Sequence, residues 1–364
     1  MQILHLNSNF LYSKLYENQL NEMSSNFEHI IYNPLRNKKE NKTKYKVLKP
    51  VFINKTDSIL SFKRLDKSFK YLKKNILLED LNLIHAHTLT NDGILALKIY
   101  KKYKTPYILT IRNTDINYSL KYKKHLKNLY LKTILYSKQV IFPNHSYRKK
   151  LLSIYKDNEK LKSKLNNSLI IPNGIDQLWI DNPNIQSKTI VENKVKVLFI
   201  ARIYKDKNLH NLLKAINNMD NIELTVVGKI INKDYYNKLK ENYKFKYLGT
   251  KSKHELINLM NDFHVFAMPS FKETFGLVYV EALSQNLPIL YTRNEGIDKY
   301  FDDNKYGKSV NPEDVNSIIN GLEYIIKNYE SIQNNLKDKN FLQEFNWIRI
   351  GKLYDKLYLG VKNE

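Results

Sequence analysis

Short apolar runs of strand length alternate along the whole chain with longer stretches whose apolar positions recur every three or four residues. In the N-terminal half the runs fall at residues 3–6, 46–53, 83–87, 107–111, 139–143 and 169–171. In the C-terminal half they fall at 196–200, 222–227, 245–248, 263–268 and 288–291. Strands that alternate with helices predict parallel sheets covered on both faces. The pattern occurs twice over, so it predicts two α/β domains, each doubly wound and Rossmann-like. Asn, Gly and Pro collect in IPNGIDQLWIDNPNIQS, residues 171–187, where the break between the domains is placed. A chain of 364 residues is long enough for both domains to bury a core. The predicted organisation is an N-terminal domain over 1–175, a C-terminal domain over 176–346 and a closing helix over 347–364.

Charge changes this picture because of where it sits. Lys and Arg outnumber Asp and Glu by 21 in residues 1–175 and by only 3 in residues 176–364, out of a net +24. A coding bias toward lysine would fall on both halves, so the asymmetry points the N-terminal domain at something anionic. Two stretches carry it. Phe62, Leu65, Phe69, Leu72 and Ile76 form a helical stripe with Lys63, Arg64, Lys67, Lys70, Lys73 and Lys74 around it. Residues 118–136 set Lys121, Lys123, Lys124, Lys127 and Lys132 among Leu126, Leu129, Tyr130 and Ile134. Such stripes face a core on most amphipathic helices, and the surrounding lysines are what would meet lipid headgroups. Nucleic acid is the weaker partner, since no nucleic-acid motif accompanies the charge and the 27 tyrosines are spread evenly. The chain has no cysteine, which excludes disulfides and thiolate metal sites. No run is long enough to span a bilayer, and the chain opens directly on an apolar run. These features predict a cytoplasmic protein held peripherally on the inner face of the cell membrane.

The chemistry concentrates in residues 269–288, PSFKETFGLVYVEALSQNLP. An apolar strand ends at Pro269, Gly276 opens the chain, and helical spacing begins at Leu277. A helix starting near Phe275 directs unpartnered N–H groups and its positive dipole end outward, an arrangement suited to phosphate. Eight residues of helix advance roughly 12 Å. Glu273 and Glu281 are therefore spaced to grip opposite ends of an elongated ligand such as a sugar diphosphonucleoside. Taken alone, they read equally well as a charge favoured by the helix dipole and an exposed helical residue. After the strand at 196–200 comes ARIYKDKN, in which Arg202 sits at the strand's carboxyl end and Lys207 five residues on. Carboxyl ends of parallel strands are where α/β folds bind ligands. Two cations there would bracket a diphosphate, the arginine through its fork and the lysine as a point charge. Lys207 by itself reads as a solvated residue in a lysine-rich chain.

The chain resembles the GT-B retaining glycosyltransferases of family 4, the glycosyl transferases group 1, over most of its length. The resemblance is carried, in the family's order, by IPNGID (171–176), LFIARIYKDKN (198–208), LTVVGK (224–229), YLGT (247–250), PSFKETFGLVYVEAL (269–283), NEGIDKYFDDNKYG (294–307) and FNWIRIGKLYDKLY (345–358). It implies two Rossmann-like domains facing a cleft, with the last helix crossing back to the N-terminal domain. It also implies that Arg202 and Lys207 hold the diphosphate, Glu273 touches the donor sugar, and Glu281 bonds the ribose hydroxyls. Backbone amides at Phe275, Gly276 and Leu277, together with Thr250, would complete the donor site. The sequence departs from the family in three places. No glycine lies in LNSNFLYSKLY (6–16), Asn286 stands where glycine is usual, and Arg112, a donor-binding candidate by its position, occupies the place of a histidine expected near the donor sugar. His85 and His87, in IHAHT at a strand's carboxyl end, are candidates for the acceptor site or else satisfied internal histidines.

The resemblance implies an enzyme transferring a hexose, UDP-linked by first expectation, with retained configuration, to a lipid-linked or oligosaccharide acceptor in bacterial surface polysaccharide synthesis. Beyond the nucleotide-sugar donor no cofactor is expected, and no metal. No Asp-x-Asp is present, the histidines lack metal-ligand spacing along the chain, and two cations with a helix N-terminus would stabilise the leaving group. The competing reading on the same fold is a sugar-nucleotide epimerase or phosphorylase; a basic nucleic-acid-binding protein is the reading from another class.

Overall fold

The computed structural model describes residues 1–40, 42–53, 61–191 and 194–363. They divide into two units, 1–174 with 347–364 and 175–346. The first is built on strands β1 (Gln2–Leu6), β2 (Glu28–Tyr32), β3 (Lys46–Leu48), β4 (Leu83–Ala86), β5 (Tyr107–Thr110), β6 (Gln139–Phe142) and β7 (Leu169–Ile170), in the spatial order β3-β2-β1-β4-β5-β6-β7. The second holds β8 (Val195–Ile200), β9 (Ile222–Val227), β10 (Lys246–Tyr247), β11 (Val265–Ala267), β12 (Ile289–Thr292) and β13 (Gly307–Val310), in the order β10-β9-β8-β11-β12-β13. Every pairing is parallel. The strand order reverses between β1 and β4 in one unit and between β8 and β11 in the other. Chain reversals of this kind open a crevice at the carboxyl ends of the strands.

Two strands were not predicted. β2 carries only Ile30 and Ile31 as an aliphatic pair, and β13, GKSV, is an edge strand with little apolar character. The run at 46–53 is shorter than its pattern, with β3 ending at Leu48. The basic stretch 118–136 is not one helix. It breaks into a π turn ending at Ser119, a turn at Leu120–Tyr122, a 3₁₀ turn at Lys124–Leu126 and the helix Lys127–Tyr136.

Alternation along each strand sorts side chains onto two faces of the first sheet. Leu4, Leu6, Ile30, Tyr32, Ile84, Ala86, Tyr107 and Leu109 pack against one layer of helices. Ile3, Ile31, Leu83, Ile108 and Ile141 pack on the other side with Tyr16, Leu20 and the helix Trp347–Asn363, which contributes Ile350, Tyr354, Tyr358 and Val361. The same alternation places His5 and His29 of β1 and β2, His85 of β4 and Thr110 of β5 on this second face. The second unit has a single core cluster formed by β8, β9, β11 and β12 with the helices that flank them.

Candidate functional site

In the second unit the loops after β8 and β11 flank the crevice where strand order reverses. A 3₁₀ turn, Lys205–Lys207, follows β8, and Asn208 then adopts a left-handed conformation at φ 57° before the helix Leu209–Asn217. Asn208 is buried, and its amide donates to the carbonyl oxygens of Pro269 (2.8 Å) and Pro312 (2.7 Å). The Phe271 amide donates to the Asp206 carbonyl at 2.9 Å. These bonds lock the two loops together and bring Lys207 against Glu273. Their side chains form an ion pair of 2.5 Å, each side chain 14% exposed.

Glu273 is held in place from several directions. Its own amide donates to the Glu295 carboxylate at 3.3 Å, and its carbonyl accepts from Gly296 N at 3.1 Å. Two glycines close around its side chain. A Cβ on Gly276 (φ +77°) would lie 3.0 Å from Glu273 Cγ and 2.5 Å from the Tyr279 ring, and one on Gly296 (φ +51°) would lie 3.1 Å from the same Cγ. Both backbones are in the left-handed region that only glycine enters freely. Gly276 is the N-cap of the helix Leu277–Ser284 and, having no side chain, supplies no cap to the helix's first amides. Those amides and the dipole therefore face the same corner as the Lys207–Glu273 pair. The Phe275 side chain is core, stacked edge-on to Tyr300 and tilted against Phe345. Only its backbone is available to a ligand, while Leu277 is half-buried at the helix start.

Arg202 lies at the carboxyl end of β8, exposed, with its guanidinium 5.6 Å from the Tyr204 ring centroid. Glu281, four residues into the helix, is half-buried. Desolvation raises its carboxyl pKa to about 7, against the pull of Lys253. Lys253 is ion-paired to Asp176, whose charge also raises the Glu281 pKa. Sequence reasoning missed Asp176 and Lys253 as neighbours of Glu281, and Glu295 and Asn208 as supports of Glu273 and Lys207. The acidic residue in NEGI and the Asn after the lysine loop were the available signals. Thr250 follows the edge strand β10 and is exposed. Asn286 takes φ 57°, the left-handed turn that replaces the usual glycine.

The first unit collects a second set of polar residues at the reversal between β1 and β4. His5 Nδ1 lies 3.0 Å from His87 Nε2, and His5 Nε2 lies 2.9 Å from His29 Nδ1. His85 stacks on His87 at 3.9 Å between centroids, and its ring nitrogens meet Tyr358 Oη (2.6 Å) and Thr110 Oγ1 (2.8 Å). Burial pushes the pKa of all four imidazoles down, that of His29 to about 4. The expectation that the histidines lack metal-ligand spacing is corrected here. Ligand atoms of His5, His85 and His87 lie within 4.8 Å of one another, because parallel pairing places His5 beside His85. Sequence separation hides this. As acceptor-site candidates, His85 is fully buried with both ring nitrogens committed, and His87 is 2% exposed. Arg112, at the end of β5, is buried beside them. Arg202, Lys207, Thr250, Glu273, Phe275, Gly276, Leu277 and Glu281 thus all lie in the second unit, where Lys207, Glu273 and Gly276 meet, and Arg112, His85 and His87 lie in the first.

Residues 181–340 match the model of glycosyl transferases group 1. An uncharacterised glycosyltransferase of Methanocaldococcus jannaschii is 27% identical over 324 residues, covering 85% of this chain and 86% of the relative. The alpha-monoglucosyldiacylglycerol synthase of Acholeplasma laidlawii is 25% identical over 304 residues, 75% and 71% of the two chains. Among solved structures, HepE of Anabaena in complex with UDP-glucose aligns with a TM-score of 0.66 over 99% of this chain and 100% of that one, at 16% identity. The fold is GT-B.

Proposed function

We propose, for a chain that belongs through its residues 181–340 to the glycosyl transferases group 1, that it moves a hexose with retained configuration from a UDP-linked donor to a lipid-linked or oligosaccharide acceptor in bacterial surface polysaccharide synthesis. The observation that carries the donor reading is the Lys207–Glu273 pair at an uncapped helix N-terminus, with Glu281 one turn further on. In this reading the diphosphate takes Lys207, Arg202 and the amides at 275–277. Glu273 receives hydroxyls of the sugar, and Glu281 receives those of the ribose. Cations and aligned amides stabilise a departing diphosphate where its charge develops. The acceptor oxygen attacks C1 on the face from which the phosphate leaves. The C1–O bond to phosphate breaks as the new glycosidic bond forms, and the acceptor's proton passes to the departing phosphate oxygen. The HepE complex supports a UDP-glucose donor, and the glycolipid-synthase relative supports a lipid acceptor.

A membrane-facing N-terminal unit fits that acceptor. Among the described residues no helix is long and apolar enough to cross a bilayer. Phe62, Tyr118 and Tyr122 are each more than half exposed. A cavity of about 530 Å³ has an apolar floor of Ile116, Leu120 and Ile154 and a rim of Lys121, Lys124 and Lys127. Each basic residue near an anionic surface contributes about 1 kcal/mol.

The donor reading is tested by calorimetric titration of the full chain with UDP, GDP, dTDP and their glucose conjugates. Tight binding confined to the uridine series is the expected result, and binding of none of these ligands overturns it. Release of UDP only on addition of an acceptor separates transferase from epimerase.

A further inference from the structure

We propose that Arg112 is the receptor for an anionic group, a carboxylate or phosphate, carried by the substrate that the N-terminal unit binds. The inference rests on the transferase reading above and adds to it the chemical class of one substrate group. Arg112 stands just past β5, beside the crevice where strand order reverses between β1 and β4. Only 9% of the residue is exposed. Its Nε donates to the His87 carbonyl at 3.2 Å, and the guanidinium carbon lies 5.0 Å from the Tyr16 ring centroid. The two Nη groups carry no hydrogen bond among the described residues.

The carboxylates nearby are committed elsewhere. Asp115 accepts from the backbone amides of Arg112 (2.9 Å), Leu89 (3.0 Å) and Thr90 (3.3 Å). It thereby pins the loop after β4 to the loop after β5 and aims the arginine. Asp92 is taken by Ser8 Oγ at 2.7 Å and Thr88 Oγ1 at 3.0 Å. The imidazoles on the other side are neutral at ordinary pH, since burial lowers their pKa values, and the Arg112 charge lowers those of His85 and His87 further. A guanidinium withdrawn from water without a counter-charge is costly. A carbonyl and an aromatic face offset only part of that cost, and four N–H donors remain in a planar fork. That fork matches the paired oxygens of a carboxylate or phosphate. The group arrives on the acceptor, as a phosphate or as a carboxylate.

The full-length protein and its Arg112→Gln and Arg112→Lys variants are titrated calorimetrically with two matched pairs. The first is methyl glucoside and methyl glucuronide; the second is dihexanoylglycerol and dihexanoylphosphatidate; UDP is titrated separately as reference. The wild type is expected to bind the anionic member of one pair at least tenfold more tightly than its neutral counterpart. Arg112→Gln is expected to bring that pair within twofold with UDP affinity unchanged, and Arg112→Lys, which keeps charge but not the fork, to lose at least threefold. Preference within the glycoside pair assigns a carboxylate on the acceptor; preference within the lipid pair assigns a phosphate on it. The proposal is overturned if the wild type discriminates in neither pair, or if Arg112→Gln keeps the preference. Should the glutamine variant fail to fold, undiminished preference in the lysine variant overturns it. A wild type that binds no UDP overturns the uridine donor alone, since the lipid pair is titrated independently.

Discussion

Glu281 ties folding stability to pH. Its folded pKa of about 7 lies above the ordinary 4.5 because the half-buried carboxylate loses solvation. A raised carboxyl pKa means that the folded protein binds the proton more tightly than the unfolded chain. The contribution to stability is then present at low pH and is lost as pH rises toward and through 7. Glu281→Gln is expected to remove that loss, giving an empty protein whose urea midpoint at pH 8 equals or exceeds that of wild type. The same variant should weaken UDP binding by about 1.5–3 kcal/mol, the worth of a charged hydrogen bond, as read by calorimetry. Unchanged affinity would remove Glu281 from the ribose. Glu273→Gln should lower kcat by more than it raises KM if its bond to the sugar tightens in the transition state. Activity should persist in EDTA, because Arg202, Lys207 and helix amides are assigned the leaving group's charge; loss with chelator and recovery with Mg²⁺ would contradict that assignment. The sequence made Arg202, Glu273 and Glu281 legible, since each sits at a fixed offset from a strand end or helix start. The bond between Lys207 and Glu273 was not legible, because 66 residues separate them and they meet through the Asn208 and Phe271 tethers between the two loops.

Elements carry two further tests. The helix Leu277–Ser284 starts on Gly276 in a left-handed conformation packed against Tyr279 and Glu273. Gly276→Ala is expected to destabilise the second unit by at least the roughly 1–2 kcal/mol that left-handed backbone costs an L-residue. It should also displace Glu273, so that turnover falls more than stability alone accounts for; circular dichroism melts and kcat together check this. In the first sheet, strands β1, β2 and β4 hold His29, His5, His85 and His87 neutral. Their lowered folded pKa values mean that stability is present above the unfolded value of 6.5 and is lost as pH falls below it. Asp92 and Asp115, both raised to about 6, Glu281, raised to about 7, and Asp355, also raised, act in the opposite direction. These four carboxyls are outnumbered by seven imidazoles held below their ordinary value, since His145, His210 and His264 are lowered too. Urea stability should therefore fall from pH 7 to pH 5, and His29→Gln should lessen the slope by up to about 1.4 kcal/mol per pH unit, the effect of one proton. An unchanged slope would show that His29 takes up its proton alike in the folded and unfolded states. That these histidines cluster was hidden for a physical reason. β2 went unrecognised in a stretch with one aliphatic pair, and register is set by pairing rather than by sequence distance.

The excess of positive charge belongs to the first unit as a whole. Sedimentation with anionic liposomes should exceed that with neutral ones and fall at high salt, since the attraction fades within about 8 Å at physiological ionic strength. Charge reversal at Lys121, Lys124 and Lys127, all exposed, should lower recovery without changing UDP affinity. Equal recovery with both lipids would end the membrane proposal. By itself the sequence determined that the chain holds two parallel α/β folds, that the strands end where loops rich in Asn, Gly, Arg and Lys begin, and that a glutamate pair brackets a helix start. These features are local: hydrophobic period, turn chemistry and offset along one element are written in consecutive residues. Tertiary structure alone decided that Lys207 meets Glu273, that Asp176 and Lys253 flank Glu281, that four histidines share one sheet face beneath Tyr358, and that Arg112 is largely buried with no carboxylate among the described residues bonded to its fork. Each of these depends on which strands lie side by side and on how far each side chain is withdrawn from water, and neither is fixed by the distance between residues along the chain.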